Sequence, residues 1–323
     1  MTTKAILLVG GKGTRLAPLT NDTPKPMLKV AGKPVTEHQI VKARDAGIKE
    51  LVLATSYLAE VFEPYFGDGS KFGISITYSV EKEPLGTGGA IAYAAKNLSL
   101  SDGESIVVFN GDVLSGHDLT AQIALHELTT ADVTLYLTKV TDPRAYGCVP
   151  IDDKNRVTAF LEKMQNPIAD TINAGCYVFR TTALTQIPSE SVVSVERETF
   201  PKLLENGRGI YGFLDQSYWI DMGTPQSFIR ASRDLILNPE LSSATTGVRN
   251  GSLIEADVTI EPTANIGGGT VIGRGSSIGR AASIQGSMIG SGVRVGADAE
   301  IIDSYISSGL EIESGRRIIS EVL

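Results

Sequence analysis

Two periodicities divide the chain. Up to about Asn238 short apolar runs alternate with amphipathic stretches, and from about Ile254 the helical spacing gives way to a shorter one. Runs rich in Ile, Leu and Val predict strands over residues 5–9, 51–55, 74–79 and 105–110. Between them, helical spacing predicts helices over 35–46, 58–66 and 88–98, the first closed by Gly47. Strand and helix in alternation predict an α/β fold with a Rossmann-like, doubly wound, mostly parallel sheet, the kind that binds ligands at the carboxyl ends of its strands. In the tail, β-branched residues recur every six positions at Ile254, Ile260, Ile266, Ile272, Ile278 and Ile284. They continue at Ile289, Val295, Ile301, Ile306, Ile312 and Ile318 after two one-residue slips, and glycine follows several of them. Six is no helical period. The spacing predicts a left-handed hexapeptide-repeat β-helix over residues 251–321. The expected division is therefore a first domain over 1–240 and a β-helix domain over 251–323, the latter offering apolar faces that suit a homo-oligomer.

The 323 residues exceed what one hydrophobic core usually holds, which agrees with that division. Apolar residues at 42% and charged residues at 20% argue against long disorder and against a fibrous protein. No window approaches the roughly 18 to 20 apolar residues of a membrane span, and Met1-Thr2-Thr3-Lys4 leads straight into a strand-like run, so a cytoplasmic protein without membrane attachment is expected. Cys148 and Cys176 show neither disulfide nor zinc spacing and read as buried thiols. A net charge of −8 disfavours nucleic acid as a partner. Yet up to Lys33 the chain carries Lys4, Lys12, Arg15, Lys25, Lys29 and Lys33 against the single acid Asp22, which points to a small polyanion bound there.

The first predicted strand runs into Gly10-Gly11-Lys12-Gly13-Thr14-Arg15-Leu16. Glycines at that place let backbone N–H groups approach phosphate oxygens, helped by a following helix N-terminus. The spacing fits neither a Walker A loop nor a dinucleotide fingerprint, whose third glycine would fall at Leu16. Lys25 lies between Pro24 and Pro26, which fix the backbone and lower the entropy lost in aiming its ammonium group. Asp112, behind Asn110-Gly111, and Asp221, in Trp219-Ile220-Asp221, each stand at a strand end. Two such carboxylates beside a bound phosphate suit Mg²⁺. Glu81, at the head of Glu81-Lys82-Glu83-Pro84-Leu85-Gly86-Thr87-Gly88, could accept two adjacent N–H donors on one edge of a flat ring, and reads equally as part of a solvated charged turn.

The run from Gly10 to Thr20 with Pro24-Lys25-Pro26-Met27 resembles the opening signature of the nucleoside triphosphate:sugar-1-phosphate nucleotidyltransferases. The resemblance continues through Pro84-Leu85-Gly86-Thr87-Gly88, Asn110-Gly111-Asp112, Phe160-Leu161-Glu162-Lys163, Asn173-Ala174-Gly175 and Trp219-Ile220-Asp221-Met222-Gly223 into the tail. Within that family the chain is most similar to the bacterial guanylyltransferases of mannose 1-phosphate, chiefly through Ser194-Val195-Glu196-Arg197-Glu198-Thr199-Phe200-Pro201 and the Glu81 to Gly88 segment. It departs at Ala17, where arginine is common, and at Met164, where proline is usual. The resemblance implies attack by a sugar 1-phosphate on the nucleotide α-phosphorus with release of pyrophosphate, Mg²⁺ being held by Asp112 and Asp221. It implies that Arg15 and Lys12 hold the pyrophosphate and that Lys25 neutralises charge at the α-phosphate. Gly10, Gly11, Gly13, Thr14, Glu81, Gly86 and Thr87 would bind nucleotide, and Gly111, Glu162, Lys163, Asn173 and Gly175 the sugar phosphate. GTP and mannose 1-phosphate are the substrates it favours. Thymidylyl or uridylyl transfer to glucose 1-phosphate, a nucleotide-sugar sensor without activity, and acyl transfer by the β-helix stay open, although all three histidines (His38, His117, His126) precede the tail.

Overall fold

The computed structural model describes residues 3–11, 13–21, 23–56, 59–162 and 164–323, the side chains of Ala59 and Glu162 excepted. Its chain forms two compact units, one of Met1–Gly11 with Gln39–Trp219, the other of Lys12–His38 with Ile220–Leu323.

The first unit is built on a nine-stranded sheet. Strands β1 (Lys4–Leu8), β2 (Glu50–Thr55), β3 (Ser75–Val80) and β4 (Ser105–Asn110) are mutually parallel in the order β3-β2-β1-β4, within a residue or so of the predicted runs. In β1, β2 and β4 apolar residues face layers on both sides, so Ile6, Val52 and Val108 are all fully buried, whereas burial alternates along the edge strand β3. Helix α1 (Val35–Asp45) ends before Gly47, whose φ of 91° supplies the left-handed stop, and α2 (Gly86–Ala95) follows β3. The helix expected over 58–66 is instead a turn of 3₁₀ at Ala59–Val61 and a four-residue helix, Glu63–Phe66. Pro64 is the reason: it lacks an N–H and fits only the first turn of a helix, so it starts a new one rather than continuing the old.

Beyond β4 the sheet becomes mixed. After α3 (Leu119–Thr129) come β5 (Val133–Lys139), the short β6 (Gly147–Cys148) and β7 (Leu161–Glu162), then β8 (Thr171–Arg180) and β9 (Ile210–Leu214). Strand β8 runs antiparallel to β4 and β5, with a register shift between Asn173 and Tyr177. The short β6 and β7 also pair antiparallel, whereas β9 pairs parallel to β5.

In the second unit helix α4 (Pro225–Leu237) starts with a capping box of Thr224 and Ser227, and its Ser232 hydroxyl accepts the buried Ala31 N–H at 3.0 Å. The tail forms three parallel four-stranded sheets of very short strands, which accords with a left-handed β-helix. Ile254 pairs with Ile272, Ile272 with Ile289 and Ile289 with Ile306, steps of 18, 17 and 17 residues, which explains both slips in the repeat. The shortened corners carry buried Ser287 and Ser304, below Thr270. Each hydroxyl accepts an N–H from the next coil: Ser287 N–H reaches Thr270 Oγ1 at 3.4 Å, Ser304 N–H reaches Ser287 Oγ at 3.1 Å, and Glu321 N–H reaches Ser304 Oγ at 3.1 Å. Among the described residues no helix is long and apolar enough to cross a membrane.

All three histidines are buried, and burial lowers each pKa, that of His117 to about 3 and that of His126 to about 4. These rings therefore bind more protons unfolded than folded below pH 6.5, and their contribution to stability falls as pH drops from there towards 4, by up to ~1.4 kcal/mol per pH unit for each of His117 and His126. Thermal melts from pH 7.5 to 4.5 are expected to show a steadily falling Tm that His126→Gln partly flattens. A Tm independent of pH over that range would contradict the neutral burial of these rings.

Candidate functional site

In the first unit the groups of interest gather at the carboxyl ends of the parallel strands. Strand β1 runs into Gly10 and Gly11. Val9 N–H donates to Ala54 O at 2.9 Å, and a Cβ on Gly10 would lie 2.9 Å from Ser56 Oγ. Strand β4 ends at Asn110, and Gly111 N–H donates to Leu8 O at 2.9 Å. A Cβ on Gly111 would stand only 2.2 Å from that carbonyl oxygen, so no other residue allows the turn to close there. The half-buried Asp112 is thus set against the strand end that carries the glycine loop.

Glu81 follows β3, and its Oε2 accepts Leu85 N–H at 3.0 Å. Burial raises its pKa and the Leu85 hydrogen bond pulls it back. The carboxylate thus holds the loop that precedes α2, a task that the charged-turn reading left out. Gly86, at φ 70°, starts α2, and a Cβ there would lie 2.6 Å from Val193 O. Thr87 Oγ1 donates to Glu196 Oε2 at 2.8 Å and accepts Val195 N–H at 2.9 Å. This ties the Gly86-Thr87 loop to the Ser194–Pro201 stretch.

The chain of polar groups continues through a residue that sequence reading passed over. The fully buried Tyr177 hydroxyl donates to Glu196 Oε1 at 3.4 Å and accepts from Asn173 Nδ2 at 2.9 Å and Asn110 Nδ2 at 3.3 Å. Burial, with the Glu196 charge beside it, drives the Tyr177 pKa well above its ordinary value, so the phenol stays a donor. Asn173 Oδ1 accepts Gly175 N–H at 3.2 Å in the register shift of β8, which fixes its amide at both ends. Thr87, Glu196, Tyr177, Asn173 and Asn110 therefore form one network from the α2 loop to the residue before Gly111-Asp112. Apolar positions such as 177 carry no local signal of this role; only the tyrosine hydroxyl, which needs a partner when buried, hints at it. Glu162 pairs with Gly147 in β7, and Lys12 and Lys163 lie outside the described residues.

In the second unit Gly13, at φ 59°, precedes a single 3₁₀ turn, Thr14–Leu16, rather than the expected helix, because Ala17-Pro18 stops it. Thr14 and Arg15 are exposed. Lys25 is buried in the turn Lys25–Met27, capped by Pro24. A Cβ on Gly13 would lie 2.9 Å from Lys25 Cβ, so the loop glycine and the lysine stem are in close contact. Thr36 Oγ1 donates to Pro26 O at 2.9 Å and secures the far side of that turn. Around Gly223, a Cβ would meet both Asp221 carboxylate oxygens, at 3.3 and 3.4 Å, and Arg15 Nη1 at 3.5 Å, which brings the acid and the guanidinium to one point.

Among the described residues no three His, Cys, Asp or Glu side chains cluster as a metal cage. Mg²⁺ takes one or two carboxylates and completes its shell with water and phosphate oxygens. Asp112 and Asp221 have the right donor chemistry.

The sequence model of the family described as "Nucleotidyl transferase" matches residues 4–237. The chain is 50% identical over 285 residues to the mannose-1-phosphate guanylyltransferase of Mycobacterium tuberculosis, covering 88% of this chain and 79% of that one. It is 37% identical over 272 residues to mannose-1-phosphate guanylyltransferase 1 of Arabidopsis thaliana, covering 84% of this chain and 74% of the other. The solved structure of HddC from Yersinia pseudotuberculosis superposes with a TM-score of 0.61 at 28% identity, covering 72% of this chain and all of that one.

Proposed function

Because the chain belongs to the nucleotidyl transferase family, we propose that it transfers the GMP unit of GTP to mannose 1-phosphate, forming GDP-mannose and pyrophosphate. The observation that carries nucleotidyl transfer is the Gly111–Leu8 hydrogen bond, which sets the Asp112 turn against the end of β1, just before Gly10 and Gly11. GTP and mannose 1-phosphate are favoured by the relatives with 50% and 37% identity.

In this reading an oxygen of mannose 1-phosphate attacks the α-phosphorus. A new P–O bond forms there and the α–β phosphoanhydride breaks, its electron pair leaving with pyrophosphate. With a second phosphate pKa of about 6 the nucleophile is already ionised at neutral pH, so no base is required. The histidines accord with this, since each is buried and hydrogen-bonded within the fold. Catalysis then rests on positioning and charge. Mg²⁺, when bound, supplies electrostatic stabilisation of the phosphate oxygens. Asp112 and Asp221 would hold it. Arg15 and Lys12 hold the pyrophosphate, and the guanidinium suits bidentate contact. Lys25 neutralises charge at the α-phosphate. Gly10, Gly11, Gly13, Thr14, Gly86 and Thr87 receive the nucleotide; Gly111, Glu162, Lys163, Asn173 and Gly175 receive the sugar phosphate. The two buried, unpaired cysteines suit a cytoplasmic setting.

The test is pyrophosphate release with magnesium, crossing GTP, ATP, UTP, dTTP and CTP against mannose 1-phosphate and glucose 1-phosphate. Release confined mainly to GTP with mannose 1-phosphate is expected. Release with dTTP or UTP and glucose 1-phosphate would overturn the specificity, and none in any pair would overturn the activity. Glu81→Gln can still accept the Leu85 N–H, so it isolates base reading from loop support. Its preference for GTP over ATP should fall about 10- to 100-fold, and an unchanged profile removes Glu81 from base recognition.

A further inference from the structure

One face of α1 grips the segment that carries Asp112. Gln39 Nε2 donates to Asn110 O at 2.7 Å and to Val113 O at 2.8 Å, the two carbonyls that flank Gly111-Asp112. Both neighbours are carbonyl oxygens, so the amide orientation is forced. Gln39 is buried and its Oε1 has no hydrogen-bond partner among the described residues, so holding this turn is the one polar task of the side chain there. Three residues along the helix, Lys42 Nζ donates to Ser115 O at 2.6 Å and to His117 O at 3.0 Å. It also lies 3.0 Å from His117 Nδ1. His117 Nε2 faces Gln122 Oε1 at 3.0 Å and must donate to it, which leaves Nδ1 to accept from the ammonium group. Positions three apart share a helix face, so two side chains hold four carbonyls within the eight residues from Asn110 to His117.

We propose that Gln39 and Lys42 are positioning residues for Asp112, fixing from α1 where its carboxylate is presented to the metal and the transferring phosphate. This rests on the assignment of Asp112 as a metal-holding residue. Neither side chain touches the reacting atoms in this scheme; both act through the main chain of the turn. Burial lowers the Lys42 pKa to about 8, while Asp215 and Asp118 oppose the fall, so the ammonium group is charged at neutral pH. A carboxylate on a loosened turn would still meet the metal, but with weaker affinity, as when the outer partners of a metal ligand are removed.

The test uses the full chain with Gln39→Met, which keeps the bulk and removes both donors, and Lys42→Met at the other end of the grip. Mn²⁺ affinity in the presence of GTP, read by electron paramagnetic resonance, and the Mg²⁺ concentration giving half-maximal rate should each weaken about 10- to 100-fold in Gln39→Met. The KM for GTP at saturating metal should move less than about threefold. Lys42→Arg, which retains the charge and the donors, should recover most of what Lys42→Met loses. A general loosening of the fold would lower Tm without splitting metal affinity from KM. Asp112→Asn serves as the reference. If it weakens Mn²⁺ binding while the folded Gln39→Met or Lys42→Met variants do not, the positioning role is overturned and the metal assignment stands. If Asp112→Asn also leaves Mn²⁺ affinity unchanged, both are overturned. Should one methionine variant fail to fold, the other decides.

Discussion

Asp112→Asn is expected to turn over about 100- to 10,000-fold more slowly than wild type, the several kcal/mol that one metal-holding carboxylate contributes to a phosphoryl transition state. The exchange keeps the size of the side chain and leaves the Gly111–Leu8 hydrogen bond intact, so the loss reads charge and metal affinity rather than folding. Steady-state pyrophosphate release over a magnesium titration checks it, alongside a melting curve. A variant with near wild-type turnover and unaltered magnesium dependence would falsify the role.

Lys25→Met is expected to lower kcat/KM about 30- to 1,000-fold, the 2 to 4 kcal/mol of one charge-assisted contact to a transferring phosphate. Methionine keeps the stem that packs against Gly13 and removes only the charge. Because the prolines on either side hold the turn, little backbone movement is available to compensate. Single-turnover rates at saturating GTP separate this from weaker binding. A loss under about threefold takes Lys25 out of the chemistry.

The parallel half of the sheet was legible because β1, β2 and β4 are near-continuous apolar runs buried on both faces, while the edge strand β3 alternates buried Ile76 with exposed Ser75 and Thr77. The mixed half was not. In β8 the alternation is interrupted by Asn173-Ala174-Gly175, where the register shifts. In β7 only Leu161 and Glu162 pair, too short a run for periodicity to mark. The tail could be read down to its slips, whose cause, a coil shortened at the Ser287 and Ser304 corners, needed the registers.

In the candidate site, sequence singles out residues whose chemistry is unusual where they stand: glycines after a strand, a lysine between prolines, aspartates at strand ends. Gln39, Lys42 and Tyr177 escape such reading because they act across the fold. Gln39 reaches a carbonyl 71 residues away, and its target is main chain, which leaves no mark on the identity of the partner. Glu81 shows the converse, since a plausible base reader proves also to brace its own loop.

The hydroxyl ladder of Thr270, Ser287 and Ser304 also sets the increment by which the tail can change length. Each rung receives an amide from the turn after it. Excision of an arbitrary number of residues would leave that buried amide facing an apolar side chain, which costs about 1 to 3 kcal/mol for each group left unsatisfied. Excision of one whole turn puts Ser304 where Ser287 stood and leaves every isoleucine in phase. Growth and shrinkage of such a tail are therefore quantised, and its natural variants should differ by complete turns.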